Sequence, residues 1–132
     1  MSGLVQYPDY DAKCKKLCEE KEIRFAGIID EEGNLVAGGF KKGLVPLEND
    51  KKRLEEFMKF VSNFSLLKSF DETLGTTSYL AARMEKVILI SFPFPLTKIV
   101  LLISADPGID IEGLAAHVID IFDSDEARFA EW

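Results

Sequence analysis

The side chains that could act as nucleophiles, general bases or metal ligands are few in this sequence. It contains one histidine, His117, and two cysteines, Cys14 and Cys18. Nucleophilic catalysis needs a nucleophile held beside a base, and the sequence offers no nucleophile that pairs with His117. One histidine and two cysteines also fall short of the four ligands of a structural zinc site. We therefore predict no catalytic residue, no metal site and no cofactor.

Cys14 and Cys18 lie four residues apart, on one face of a predicted helix. That spacing separates their Cβ atoms by about 5–6 Å, whereas a disulfide holds the two Cβ atoms at about 3.8 Å. The pair is therefore interpreted as two small core residues. A redox or metal role is the alternative.

Two acidic segments have the composition of calcium loops. They are DEE at residues 30–32 and the set Asp106, Asp110 and Glu112. Neither follows the ligand spacing of an EF-hand. Turn formation and helix capping explain both segments without a metal ion.

A cluster of basic residues follows the second predicted strand. The segment GGFKKG, residues 38–43, lacks the Walker spacing and the Ser or Thr that follows a phosphate-binding lysine. Acidic residues interleave with the cluster, so a solvated face is the simpler interpretation. The basic residues that form a candidate surface for a partner are Lys41, Lys42, Lys51, Lys52 and Arg53.

The length and charge of the chain indicate one acidic folded domain. Its 132 residues are 47% hydrophobic and carry a net charge of -7. A chain of this length can bury one core, and it has no domain-wide basic field to attract phosphates, so nucleic acid is not the expected partner. We predict a single domain over residues 1–132, with a core at about 9–123 and an acidic tail at 124–132.

The apolar run VILISFPFPLTKIVLLISA, residues 87–105, approaches the length of a membrane helix. Pro93, Pro95 and Lys98 interrupt its centre, and its flanks are rich in Val, Ile and Leu, so two buried strands joined by a turn are predicted instead. The start of the chain lacks the basic region and long apolar core of a signal peptide. We therefore expect a cytoplasmic protein without membrane insertion.

Hydrophobic periodicity predicts the element order α-β-β-α-β-β-β-α. The first helix starts near Pro8, and Asp110 caps the last helix. A five-stranded antiparallel sheet sandwiched between helices, an α+β fold, would bury the apolar strands. Between the two terminal helices we predict a hairpin at residues 23–40, a middle helix at 49–67, and strands at 76–83, 86–92 and 97–104.

The hairpin, IRFAGIIDEEGNLVAGGF, carries no chemical group of its own and is interpreted as scaffold. Gly33 can take the positive φ that its tight turn needs. Both faces of its first strand are apolar, as in a central strand. The residues expected on one face are Ile23, Phe25 and Ile29, and those expected on the other are Ala26 and Ile28.

The middle helix is predicted to have a wide apolar face. Leu54, Phe57, Met58 and Val61 form an ordinary core stripe. Burying a large side chain contributes about 1.5–3 kcal/mol, so a second subunit is the expected cover for the surplus, with plain core packing as the alternative. The residues that widen the stripe to about half of the helix circumference are Phe60, Phe64 and Leu67.

Two segments resemble the roadblock/dynein light chain family and its longin and profilin-like relatives. They are the hairpin AGIIDEEGNLVAGG and the strand that runs into the last helix, VLLISADPGIDIEGLAAHVIDIF. With the element order, the resemblance spans about residues 9–123. The whole chain also resembles an uncharacterised, mainly archaeal branch of such proteins. One departure from the family pattern is the inserted segment KKGLVPLEN at residues 41–49.

The resemblance implies a dimeric platform without catalysis, often one that binds or regulates small GTPases. Family members pair through the second helix and the third strand. The implied dimer contacts in this sequence are Phe57, Phe60, Phe64, Leu67 and Tyr79.

Three functions are therefore weighed. The first is a homodimeric adaptor or regulator of a protein partner, with a small GTPase as the implied class. Such a partner docks either on the helical face across the dimer seam or along the exposed edge strand at residues 35–40. The second is a small-molecule sensor, in which Gly27, Gly38 and Gly39 make room for a ligand. An enzyme ranks third.

Overall fold

A computed structural model describes residues 8–44, 55–56, 58–59, 74–75, 77–94 and 99–122 of the chain. Its five strands form one antiparallel sheet in the order β2-β1-β5-β4-β3, which confirms the predicted α+β fold. The elements are helix α1 (Pro8–Leu17), strands β1 (Ile23–Ile29), β2 (Leu35–Phe40), β3 (Leu80–Arg83), β4 (Ile88–Pro93) and β5 (Val100–Ala105), and helix α2 (Ile111–Phe122). Residues 55–56 and 58–59 are helical and belong to the predicted middle helix, whose other residues lie outside the described ones.

The turn of the β1–β2 hairpin is closed by Asp30 and Gly33. Oδ1 of Asp30 accepts hydrogen bonds from the N–H groups of Glu32 and Asn34, both at 2.9 Å. Gly33 has a φ of 86°, which confirms the predicted turn chemistry. A Cβ added there would lie 2.5 Å from Cα of Lys59, so glycine also lets the middle helix pack against this turn.

The hydrophobic core divides between the two faces of the sheet. Both terminal helices pack on one face, where Tyr10, Phe94 and Phe122 form an aromatic cluster with ring centroids 5.6–5.8 Å apart. On the other face Met58 of the middle helix is 5% exposed and packs with Phe25, Ile29 and Leu102. Helices therefore cover both faces, as predicted.

The predicted faces of β1 are confirmed with one exception. Phe25 and Ile29 share the middle-helix face, and Ala26 and Ile28 share the opposite face. Alternation predicts that the Ile23 side chain lies on the same face as Phe25, but Ile23 belongs to the cluster under α1 and α2. The β1–β5 register shifts between Ile23 and Phe25, and such an irregularity breaks the strict alternation of side chains.

The apolar run at 87–105 supplies the two strands that the sequence predicts, β4 and β5, although residues 95–98 lie outside the described ones. Pro93 ends β4 opposite Val100, beyond the last β3 pair, Leu80 with Ser91. Its missing N–H therefore interrupts no hydrogen bond to β3. Among the described residues, no helix is apolar and long enough to span a membrane.

Strand β3 is shorter than predicted. The sequence predicts a strand from residue 76, but regular pairing starts only at Leu80. β3 lies at one edge of the sheet and β2 at the other, with β1 buried between β2 and β5. The sheet therefore presents two edges to a partner.

Candidate interaction surfaces at the two sheet edges

Helix α1 lies against the β2 edge at Gly38. Oδ1 of Asp11 accepts a hydrogen bond from the Gly38 N–H at 2.9 Å. Gly38 has a φ of 81°, and a Cβ there would stand 2.2 Å from the Ala26 carbonyl oxygen and 2.8 Å from Cβ of Cys14. Only glycine permits this approach. The sequence suggests that the Gly38 backbone is accessible for strand addition, but its N–H is already bonded within the chain.

Lys41 is also engaged at this edge. Its Nζ donates to the carbonyl oxygens of Glu20 at 2.8 Å and Lys21 at 3.2 Å, so it caps the turn that follows α1. Lys42 is exposed. The other members of the candidate basic surface lie outside the described residues; they are Lys51, Lys52 and Arg53.

A half-open groove of about 430 Å³ lies between α1 and β2. Its lining includes Cys14, Cys18, Gly38, Gly39 and Phe40, with charged side chains at the rim. We refer to it as the α1–β2 groove. Gly39 therefore borders an open space, as the sensor hypothesis expects, whereas Cys14 and the Ala26 carbonyl fill the space beside Gly38.

Gly27, by contrast, leaves no room for a ligand. A Cβ added at Gly27 would lie 2.6 Å from Cδ1 of Leu35 and 2.8 Å from Cζ of Phe25. The side chains of Leu35 and Phe25, on the same sheet face, occupy the space beside Gly27. The expectation of ligand space is wrong here.

The two thiols in the α1–β2 groove are held in their neutral form. Burial raises the pKa of Cys14 to about 12, with smaller contributions from Cys18 and Asp11. Burial also raises the pKa of Cys18, although Lys41 opposes that shift. The thiolate is the reactive form of cysteine, so these environments disfavour nucleophilic chemistry at neutral pH. Both cysteines are free, and Cys14 is buried.

His117 contacts Glu20 across the gap between α2 and the turn after α1. Its Nε2 is 3.8 Å from Oε2 of Glu20, and 35% of the histidine side chain is exposed. His117 therefore lies at the solvent edge of α2. Within the described parts of the chain, no three His, Cys, Asp or Glu side chains are grouped so as to hold a metal ion.

The β3 edge differs from the β2 edge in its exposure. Ala81, Ala82 and Arg83 are exposed, and Met84, directly after the strand, is 46% exposed. Of the described strands, only β4 pairs with β3. The outer side of β3 therefore presents backbone groups and small side chains.

Two side chains tie β3 to the start of α2. The Tyr79 hydroxyl donates to Oε2 of Glu112, and Nη1 of Arg83 donates to the Pro107 carbonyl oxygen. The hydrogen bond to Glu112, assisted by its charge, raises the pKa of Tyr79 and keeps the phenol protonated as a donor. The Tyr79 ring packs on Phe92, with ring centroids 5.7 Å apart.

Tyr79 therefore lies on the sheet face that carries α1 and α2, because Phe92 belongs to that face. Met58, the buried residue described for the middle helix, packs on the opposite face. The other dimer contacts implied by the resemblance lie outside the described residues; they are Phe57, Phe60, Phe64 and Leu67.

Sequence reasoning misses the partners that shape both edges. It assigns Asp11 and Glu112 only to the first turns of their helices, where acidic residues interact with the helix dipole. Arg83 is only the end of a predicted strand. Their acceptors and donors lie 24 to 33 residues away in the chain, and no local pattern in the sequence signals such contacts.

A family model describes a family of unknown function, DUF6659, and matches residues 3–130. This chain belongs to that family. No curated protein matches the chain.

Solved structures of roadblock domains share the fold. The chain is similar to a roadblock/LC7 domain from Streptomyces avermitilis, with a TM-score of 0.65 and 14% identity over 86% of this chain and 92% of that one. It is similar to the gliding protein MglB from Thermus thermophilus, with a TM-score of 0.67 and 14% identity over 99% and 94%. An MglB with a tetrameric arrangement has a TM-score of 0.68 and 16% identity over 99% and 93%. These matches confirm the roadblock-like fold.

Proposed function

We propose that this member of the family is a non-catalytic homodimer that acts as an adaptor or regulator of a protein partner. The observation that carries the proposal is that, among the described strands, β3 ends a roadblock-like sheet and its residues Ala81, Ala82 and Arg83 are exposed. The class of partner implied by the roadblock resemblance is a small GTPase. Placement in a mainly archaeal branch and a cytoplasmic location remain predictions.

The proposed dimer joins two sheets through β3 and the middle helix. An exposed edge strand has backbone N–H and C=O groups free to pair with another strand, and alanines at Ala81 and Ala82 leave room for a close neighbour. On the adjacent sheet face, the middle helix would contribute the apolar residues predicted for the seam: Phe57, Phe60, Phe64 and Leu67. The tetrameric arrangement of one similar MglB is in keeping with self-association of this fold.

We place the protein partner on the helical face across this seam rather than on the β2 edge. At β2 the Gly38 N–H and the Lys41 ammonium are already bonded within the chain, so strand addition would compete with existing hydrogen bonds. Lys51, Lys52 and Arg53 are predicted beside the seam, where they can attract an acidic surface.

The test combines light scattering with binding to small GTPases loaded with GDP or GTP. We expect a dimer and state-dependent binding to at least one GTPase. Reversing the charges of Lys51, Lys52 and Arg53 should weaken that binding and alter its salt dependence, whereas the single reversal Lys16→Glu, at an exposed lysine of α1, should not. A monomeric chain, or a triple variant that binds as well as the wild type, would contradict the proposal.

A small-molecule sensor is the second candidate, supported by the α1–β2 groove. The groove borders Gly38 and Gly39, and a Cβ added at Gly39 would meet no atom within 4 Å. A thermal-shift screen of metabolites should then find a stabilising ligand. Gly39→Trp would fill the groove, and, because the φ of 154° at Gly39 strains any side chain, the shift caused by the ligand is measured from the melting temperature of the variant itself and should vanish. If no metabolite shifts the melting temperature, the adaptor remains the preferred function.

A further inference from the structure

Strand β3 is short for an element that pairs along only one side. It has four residues, Leu80–Arg83, and its described partner is β4 alone. β3 is the last strand of a five-stranded sheet, and exposed edge segments open locally with little free energy. Contacts beyond the β3–β4 ladder would help to keep this edge ordered.

Two side-chain hydrogen bonds meet this need, one at each end of the strand. Tyr79 precedes β3 and donates to Glu112, and Arg83 ends β3 and donates to the Pro107 carbonyl oxygen. Both acceptors belong to residues 107–112, the segment that leads into α2. The Tyr79 ring is oriented by its contact with Phe92 on β4.

We propose that Tyr79 and Arg83 form a latch that holds β3 in the extended strand conformation to which a second copy of this chain binds. The inference rests on the proposed homodimer and deepens it. Tyr79 then acts as a positioning residue, turned towards α2, rather than as a direct contact with the second copy. The latch also couples the start of α2 to the assembly edge.

The latch strengthens association by ordering the edge in advance. A segment that must become ordered during binding weakens the observed affinity, because its ordering entropy is lost at that step. A net hydrogen bond contributes about 1 kcal/mol, which corresponds to about fivefold in a dissociation constant. Because this loss acts through the ordered fraction of the free edge, removing one bond should weaken the dimer by up to about fivefold and removing both by up to about 30-fold.

The experiment measures two quantities on the full chain: the dimer dissociation constant by sedimentation, and amide hydrogen exchange of residues 80–84. The variants are Tyr79→Phe, which keeps the ring on Phe92, and Arg83→Gln. Lys86→Gln, at an exposed lysine after β3, is the matched control for the lost charge. We expect both latch variants to exchange faster at residues 80–84 and to dimerise less tightly, with the control unchanged.

A second comparison separates the latch from a general loss of stability. Glu112→Gln keeps a side-chain oxygen that can accept from Tyr79, whereas Glu112→Ala removes it, so only the alanine variant should loosen the edge. The double variant Tyr79→Phe with Glu112→Ala should be no weaker than either single change, since both remove one bond. The melting temperature of each latch variant should stay close to that of the wild type, while its dissociation constant rises several-fold.

Three outcomes overturn the latch. If amide exchange at residues 80–84 is unchanged in both latch variants, the Tyr79 and Arg83 side chains do not order the edge. Faster exchange with an unchanged dissociation constant shows that the ordering does not serve assembly. Equal weakening by Lys86→Gln shows a general charge effect. If the wild type is monomeric at all concentrations, the proposed homodimer fails, and the exchange measurement still shows separately whether Tyr79 and Arg83 order β3.

Discussion

The two edge strands of the sheet, β2 and β3, differ in how the rest of the chain contacts them. At β2, a helix lies against the strand, with a carboxylate on the Gly38 N–H and a thiol beside its Cα. At β3, the described side chains anchor the ends of the strand to α2 and leave its outer side open. Unpaired strand edges promote unwanted association unless they are covered. Among the described residues, the contrast favours β3 over β2 as the edge at which the proposed dimer forms.

Charges placed in the proposed seam beside β3 should disturb the protein most. Phe60→Asp together with Phe64→Asp should yield a monomer or an insoluble product, because the proposed seam would bury unpaired charge. Light scattering over a concentration series measures the outcome. A stable dimer of the double variant would show that the middle helix does not form the seam.

The next effect comes from alkaline pH at the covered edge. The pKa of Cys14 is raised from 9.0 to about 12, so the unfolded chain loses this proton first as pH rises. The contribution of Cys14 to the free energy of unfolding is fully present below pH 9. It then falls by about 1.4 kcal/mol per pH unit as the pH rises towards 12. Urea unfolding at pH 8 and 11 should show this fall in the wild type and a smaller one in Cys14→Ala.

A backbone substitution at the same edge ranks third. Gly38→Ala should destabilise the fold by about 1–3 kcal/mol from the left-handed conformation alone, and more because its Cβ would meet the Ala26 carbonyl and Cys14. Gly108→Ala is the control, since a Cβ there meets no atom within 4 Å. Thermal unfolding that gives equal melting temperatures for the two variants would contradict the close packing of α1 on β2.

The Asp11 carboxylate should contribute least to stability, yet it should limit self-association at β2. Asp11→Ala should cost about 1–2 kcal/mol and free the Gly38 N–H, so that self-association through β2 increases with concentration. Asp11→Asn keeps a side-chain oxygen that can accept from the Gly38 N–H, so this variant should not self-associate through β2. Asp9→Ala, at an exposed aspartate of the same helical turn, controls for the helix dipole. Sedimentation profiles that are identical for Asp11→Ala and Asp9→Ala would show that Asp11 does not guard the edge.

Much of the fold follows from local patterns. Alternating apolar residues and the turn chemistry of Asp30 and Gly33 predict the hairpin, and the apolar run at 87–105 predicts β4 and β5. The predicted strand β3 starts too early, because its polar sequence carries weak periodicity and its start depends on pairing with Ser91. The prediction for Ile23 gives the wrong face because strict alternation cannot anticipate a shift in register.

The candidate surfaces are less predictable than the fold. The sequence marks Lys41 as a partner contact, and the structure shows its ammonium on two carbonyl oxygens of the turn that follows α1. It marks Tyr79 as a seam residue, and the structure places its hydroxyl on Glu112. A long polar side chain can reach several neighbours, and only the packed chain shows which of them it contacts.

The element order and the buried strands follow from the sequence, because they depend on periodicity, turn propensity and helix spacing within a few residues. Which sheet edge is covered does not follow from such local patterns. That outcome depends on hydrogen bonds between residues 24 to 33 positions apart, Asp11 with Gly38, Tyr79 with Glu112 and Arg83 with Pro107. Such contacts form only when the sheet has brought distant segments together, so no local pattern encodes them.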